Sequence, residues 1–120
     1  EQQAVFLGDI VRNRFLGLME SDSSFKGNIA AIDFILKKHF SHYIPAHGQT
    51  GGPEMMNNYR AYLDTLYEDV KSFYAKGLLG YEMKPKIMED LKQYENWAGY
   101  ERRVGAHISQ AFLEIESEYF

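Results

Sequence analysis

The sequence predicts a helix-dominated chain of about four helices with two short strands, and three observations support this fold class. Apolar residues recur at spacings of three or four along most of the chain after residue 25, which is typical of helices packed on one face. Only two short runs, at residues 4–11 and 41–48, combine strand-forming residues with a neighbouring glycine or proline. A length of 120 residues, with 45% apolar and 25% charged residues, fits one globular domain with a single core.

Both predicted strands are short and run into loops. Residues 4–11 (AVFLGDIV) begin as a buried strand that Gly8-Asp9 interrupts or ends, because glycine permits unusual backbone angles. Residues 41–48 (SHYIPAHG) begin as a second strand that enters a loop, since Pro45 cannot donate to a sheet ladder. A two-stranded pairing is marginal in water, so further strands are expected from a partner or from a preceding segment. The start at Glu1 is accordingly expected to be a cut in a longer protein.

The first two helices have boundary signals in the sequence. A polar cluster ends at Ser24, an N-cap candidate, and an apolar stripe then runs from Phe25 to Phe40. Pro53 suits the first position of a second helix, which is predicted to continue until Gly77. Tyrosines on this helix are predicted to pack with their hydroxyl groups reaching water: Tyr59, Tyr62, Tyr67 and Tyr74.

Two further helices are predicted in the last third of the chain. Residues 77–84 are expected to form a connection, and Pro85 is expected to begin a third helix with Met88 on its apolar face. A fourth helix places Val104 to Tyr119 at helical spacing on one side. Its acidic side chains are predicted to face solvent: Glu101, Glu114, Glu116 and Glu118.

Composition excludes several classes of function. Thirteen lysines and arginines against 17 aspartates and glutamates give a net charge of −4, and the sequence has no basic stripe, so neither nucleic acid nor an anionic membrane is an expected partner. The absence of cysteine excludes disulfides, thiolate zinc sites, iron–sulfur clusters and a cysteine nucleophile. No apolar run approaches the roughly 18 residues of a membrane-spanning helix.

Two candidate metal ligands, Asp9 and His47, each follow a predicted strand and lie beside a glycine. Aspartate provides a hard oxygen and histidine a borderline nitrogen, which is the mixture that zinc accepts at catalytic sites. Two ligands are fewer than the three or four that a zinc site needs. From the residues alone, the alternative stays open that Gly8-Asp9 is an ordinary turn and His47 an ordinary loop residue.

Four stretches carry a family resemblance: residues 6–9 (FLGD), 43–48 (YIPAHG), 94–97 (YENW) and 109–116 (SQAFLEIE). In this order and spacing they resemble the C-terminal half of the metallo-β-lactamase fold, in a bacterial subgroup with a long helical C-terminal extension. The resemblance implies that the chain is half of an αββα sandwich from an α/β parent. Residues 1–52 would then belong to the core of that fold, and residues 53–120 would form the helical extension that packs on it.

The resemblance also implies a site and an activity. Asp9 matches the aspartate that bridges or binds a zinc pair, and His47 matches the last histidine ligand, although Ala46 stands where the family often has glycine. The parent is therefore expected to be a zinc-dependent hydrolase of a small-molecule substrate. The family's His-x-His-x-Asp-His signature is absent, and so is the histidine that precedes the Gly-Asp strand. The missing N-terminal half is thus the expected partner, the chain alone is expected to be inactive, and the subgroup's exported members favour a periplasmic parent.

A second hypothesis comes from a different class of protein. The chain could be a metal-free helical interaction or oligomerisation module, which pairs its exposed strand edge with itself or with a partner as a homo-oligomer or a strand-swapped dimer. The other histidines are interpreted structurally. His39 and His42 are expected at the surface or in helix caps, and His107, on the apolar side of the last helix, is expected to be a satisfied, partly buried side chain.

Overall fold

Four helices and two short strands make up the described part of the chain, which confirms the helix-dominated fold class. The computed structural model describes residues 3–8, 11–14, 16–17, 23–45 and 49–119. In chain order the elements are β1 (Ala4–Gly8), α1 (Phe25–Leu36), β2 (His42–Pro45), α2 (Pro53–Ala75), α3 (Gly80–Asp90) and α4 (Tyr100–Ser117), with a 3-10 turn at Lys92–Tyr94.

β1 and β2 lie side by side as a parallel pair, and α1 is in the connection between them. Phe6 pairs with Ile44, and after an irregularity in the register Gly8 pairs with Pro45. Because parallel strands run in the same direction, their carboxyl ends meet at one edge of the pair. We call this edge, at Gly8 and Pro45, the strand-end edge.

The two faces of the strand pair differ in what covers them. Leu7 and Tyr43 are buried and belong to the hydrophobic core that the helices complete. Phe6 is 72% exposed, and its register partner Ile44 is only half-buried. Successive side chains of a strand alternate between its faces. The core therefore covers one face, whereas the described residues leave Phe6 on the other face open.

α2 is the central helix, because it packs against α1, α3 and α4. It begins at Pro53 as predicted, and Gly77 follows its end with a positive φ of 84°. The prediction that its tyrosine hydroxyls reach water is wrong for Tyr59, Tyr62 and Tyr67, which are buried and hydrogen-bond to protein side chains. The core side chains that α2 contributes are Met55, Met56, Tyr59, Tyr62, Leu63, Leu66, Tyr67 and Val70.

The start of α1 is held by α4. Ser24 caps the helix as predicted, and its hydroxyl accepts from the Gly27 N–H at 2.9 Å. The Glu114 carboxylate also accepts from the N–H groups of Phe25 at 2.7 Å and Lys26 at 3.2 Å. A negative charge is favourable at a helix N-terminus, where N–H groups lack helical partners. Glu114 therefore ties α4 to α1, and the prediction that it simply faces solvent is wrong.

α1 is shorter than the apolar spacing predicts. The helix ends at Leu36, and His39 beyond it has a φ of 56°, which an α-helix does not contain. Phe40 nevertheless packs against the core, with its ring edge-on to Tyr43 at a centroid distance of 6.2 Å. A side chain outside the helix therefore continues the apolar stripe.

α3 begins earlier than predicted, at Gly80 rather than Pro85, which lies inside the helix. The Glu82 carboxylate accepts from the Leu79 N–H at 2.8 Å, and this cap starts the helix. Pro85 removes one helical hydrogen bond, to the carbonyl of Tyr81. Tyr81 is exposed, so this turn of the helix is open to water.

A close backbone contact joins the chain after β1 to the start of α4. The Leu16 N–H donates to the Ala98 carbonyl at 2.7 Å, and the Ala98 N–H donates to the Arg14 carbonyl at 3.0 Å. Gly99 has a φ of 82°, and a Cβ at this position would overlap the Leu16 carbonyl oxygen. Glycine permits both this backbone conformation and this close approach.

Replacing Gly99 by alanine is expected to destabilise the fold by about 3 kcal/mol or more, because the overlap adds to the strain of a left-handed backbone. Gly77 is the matched control, since it has a similar φ of 84° but a Cβ there meets nothing within 4 Å. Gly77→Ala is expected to cost only about 1–2 kcal/mol. Chemical denaturation measures both losses, and equal losses would show that the contact with Leu16 has no energetic importance.

Candidate functional site

The two predicted metal ligands, Asp9 and His47, lie outside the described residues. The structure describes the strand ends that precede them, since Gly8 comes directly before Asp9 and Pro45 comes two residues before His47. Gly8 and Pro45 are partners in the parallel register. In the sequence, both candidate ligands therefore follow the strand-end edge.

The chain segments beyond the strand-end edge are linked to each other. The Asn13 side-chain amide, after β1, donates to the Gln49 carbonyl, after β2, at 2.8 Å. Gly51 then runs back beside β2, where it and Tyr43 exchange backbone hydrogen bonds of 2.8 and 3.0 Å. The Asn13–Gln49 bond therefore links the two segments, and the Gly51–Tyr43 bonds hold the second segment beside β2.

His107 of α4 anchors the segment after β1. The ring is buried, its Nε2 lies 2.8 Å from the Gly17 carbonyl oxygen, and its Nδ1 lies 2.7 Å from the Tyr62 hydroxyl. A carbonyl only accepts, so Nε2 carries the proton and Nδ1 accepts from Tyr62. Burial lowers the pKa of His107 and raises the pKa of Tyr62, which keeps both groups neutral. The expectation of a satisfied histidine is confirmed, and its burial is complete rather than partial.

The stability that His107 contributes is expected to depend on pH. Its pKa is lower in the folded protein than its ordinary value of 6.5, so the unfolded chain binds the proton more tightly. The contribution is therefore complete above about pH 6.5 and decreases as the pH falls toward the folded pKa. His107→Gln is expected to lower the free energy of unfolding by about 1–3 kcal/mol at pH 7.5. The stability of this variant is also expected to lack the pH dependence that His107 causes.

Denaturation midpoints between pH 7.5 and 5 measure this difference. His42→Gln is the control, because it removes an exposed histidine and leaves His107 in place. If wild type and His107→Gln lose stability in parallel as the pH falls, the assignment of the pH dependence to His107 is wrong.

Arg12, in the segment after β1, is buried. Its Nη1 donates to the Tyr59 hydroxyl at 3.4 Å, and its guanidinium packs so closely on Gly17 that a Cβ there would lie 2.6 Å from Nε. Burial raises the pKa of Tyr59, and the neighbouring Arg12 charge opposes this shift. The guanidinium therefore places a buried positive charge against Gly17 of the same segment.

The described part of the chain contains no cluster of three or more histidine, aspartate or glutamate side chains that could hold a metal ion. His39 and His42 are both exposed, which confirms their interpretation as surface residues. The Nδ1 atom of His42 lies 3.1 Å from the Ser41 hydroxyl.

A cleft of about 360 Å³ adjoins the segment after β1. We call it the Trp97 cleft, and it is lined by Arg14, Asn58, Gln93, Tyr94, Asn96 and Trp97. Its lining comes from the segment after β1, from α2, from the 3-10 turn and from the loop before α4. The sequence contains no signal for this cleft, because contacts between distant elements assemble it.

Asp69 on α2 is an acidic group with a perturbed pKa. Burial and the neighbouring Asp90 carboxyl, at the end of α3, raise the pKa of Asp69 to about 7. Its Oδ2 atom is buried and receives no hydrogen bond from a described residue. Both causes favour the protonated form of Asp69.

Asp69→Asn is expected to stabilise the protein at alkaline pH. The folded pKa is raised, so the favourable contribution of protonated Asp69 is complete below its ordinary pKa of 3.8 and is lost as the pH rises through about 7. At pH 8 the free energy of unfolding of the variant is expected to exceed that of the wild type by on the order of 1 kcal/mol. This value is modest because solvent screens the partly exposed pair. Glu68→Gln, an exposed neighbour, is the control. Equal melting temperatures of wild type and Asp69→Asn at pH 8 would contradict the raised pKa of Asp69.

Comparison of the chain with protein-family models and with curated proteins finds no match. Within the described residues, no helix has the length and apolar character needed to cross a bilayer.

Proposed function

We propose that this chain is the C-terminal portion of a metallo-β-lactamase-like, zinc-dependent hydrolase, and that it contributes Asp9 and His47 to the metal site. The observation that carries the proposal is the parallel β1–α1–β2 unit. Its register pairs Gly8, which comes one residue before Asp9, with Pro45, which comes two residues before His47. Side chains that follow neighbouring parallel strands are well placed to share one site, because loops on strand ends hold them on a rigid support.

The open face of the strand pair supports the proposed missing half. Phe6 is 72% exposed on the face opposite the core. In half of an αββα sandwich, the helices cover one face of a sheet and the second sheet covers the other. The N-terminal half of the same fold would bury Phe6 and add the strands that a marginal two-stranded pair requires.

The donor set fits zinc in type but not in number. A carboxylate and an imidazole are both zinc ligands, but a catalytic site needs three protein ligands. The remaining ligands of a two-zinc site would lie on the N-terminal half, so the chain alone is proposed to be inactive. When bound, zinc lowers the pKa of a coordinated water and polarises the bond to be cleaved. Asp9 would hold the second metal and orient the nucleophile, and His47 would complete the ligand shell of that metal.

The alternative is a metal-free interaction module. It is favoured by the same exposed Phe6 and by the outer edge of β1, which pairs with no other described strand. Such an edge can template a homo-oligomer or a strand-swapped dimer. Light scattering on the purified chain distinguishes the hypotheses, because the module predicts a stable oligomer whose formation requires neither zinc nor an N-terminal half.

Zinc content in the full reading frame tests the hydrolase proposal. The sequence upstream of Glu1 is expected to encode His-x-His-x-Asp-His, and the full-length protein is expected to purify with about two zinc ions. Asp9→Asn and His47→Gln are each expected to lower zinc affinity at least about tenfold. His42→Gln removes an exposed histidine of β2 and serves as the control. Unchanged zinc binding in both ligand variants would exclude the assigned site.

Activity of the isolated chain provides an independent test. The 120-residue chain is expected to hydrolyse no thioester, lactam or phosphoester, with or without added zinc. Zinc-dependent turnover by this chain would show that it carries a complete site and would overturn the two-half proposal.

A further inference from the structure

The charge of the Trp97 cleft differs from that of the whole protein. The chain has a net charge of −4, whereas the cleft lining contains one guanidinium, three carboxamides, two aromatic rings and no acidic side chain. Arg14 is exposed, and no carboxylate among the described residues forms an ion pair with it. The cleft therefore presents a positive charge that an anion can reach.

Arg14 is held in a strained backbone conformation. Its φ is 54°, in the left-handed region that residues other than glycine and asparagine rarely adopt. The Ala98 N–H donates to its carbonyl at 3.0 Å, and the bond from Leu16 to Ala98 continues the same pairing. Strain of this kind persists where the surrounding structure imposes it, and it concentrates at functional sites.

Two aromatic rings form an apolar wall in the cleft. Trp97 and Tyr94 pack edge to face with a centroid distance of 4.7 Å, and Tyr62 supports Trp97 from the core at 5.9 Å. Trp97 is half-buried, so part of its surface is open to solvent. The carboxamides that complete the lining can each donate and accept hydrogen bonds: Asn58, Gln93 and Asn96.

We propose that the Trp97 cleft binds a small organic acid, with Arg14 pairing the carboxylate and Trp97 covering the apolar part of the ligand. A guanidinium and a carboxylate form a bidentate, charge-assisted pair. One cation matches one negative charge and leaves a phosphate dianion incompletely neutralised. The volume of about 360 Å³ lies within the range of small-molecule sites. Because the cleft adjoins the segment after β1, the inference names a substrate class for the proposed hydrolase, and in that respect it rests on the proposed function.

The fluorescence of Trp97 tests binding directly, because it is the single tryptophan of the chain. Benzoate is the probe, and benzamide is an uncharged control of nearly the same shape. Benzoate is expected to change the emission saturably and to bind at least about tenfold more tightly than benzamide, because hydrogen bonds to a charged group are the stronger ones. Equal affinities, or the absence of saturation by benzoate, would overturn the proposal. Inorganic phosphate that competes as well as benzoate would also overturn it.

Variants assign the binding to the cleft. Arg14→Gln is expected to weaken benzoate binding at least about tenfold and to leave benzamide binding unchanged. Asn58→Asp adds a negative charge at an exposed position of the cleft lining, and this charge is expected to weaken benzoate binding as well. Arg102→Gln removes an exposed arginine outside the lining and is expected to change nothing. Benzoate affinity that is unchanged in a folded Arg14→Gln or in Asn58→Asp would contradict the assigned site.

The outcome is separable from that of the proposed function. The titration requires neither zinc nor turnover, and Asp9 and His47 are outside the cleft lining. If the protein holds zinc but does not bind benzoate, the proposed substrate class is wrong and the proposed hydrolase function stands. If the protein binds benzoate but has no zinc site, the hydrolase function is wrong and the chain is an organic-acid-binding module.

Discussion

The rest of the structure depends on the contact that Arg14, Leu16 and Gly17 make with α4 and the loop before it. Two kinds of hydrogen bond make this contact. Backbone bonds run from the Leu16 N–H to the Ala98 carbonyl and from the Ala98 N–H to the Arg14 carbonyl, and the buried His107 ring binds the Gly17 carbonyl. They determine where the chain goes after β1. The position of Arg14 at the Trp97 cleft follows from this constraint.

Burial without loss of hydrogen bonding is the energetic requirement behind this arrangement. An unsatisfied buried polar group costs about 1–3 kcal/mol, and α2 brings several tyrosine hydroxyls into the core. Tyr62 satisfies its hydroxyl through His107, whose second nitrogen binds the main chain. The same desolvation raises the pKa of the acid Asp69 and lowers that of the base His107, because burial disfavours the charged form of each.

The strand pair connects the fold with the proposed function. Its buried face completes the core of this chain, and its other face leaves Phe6 exposed. The identities of Asp9 and His47 as candidate ligands came from the sequence and from a family resemblance, and the structure describes only the parallel strand ends before them. The parallel pairing itself was not predictable from local pattern, because it depends on where α1 returns the chain.

The sequence by itself determined the features that obey local rules. The end of β1 at Gly8 and the limits of α2 at Pro53 and Gly77 were predictable, because backbone angles and missing N–H groups act on the residue that carries them. Only the tertiary structure decided that Glu114 caps a helix far away in the chain and that Arg14 lies at a cleft. These roles depend on contacts between residues distant in sequence, which neither spacing nor composition records.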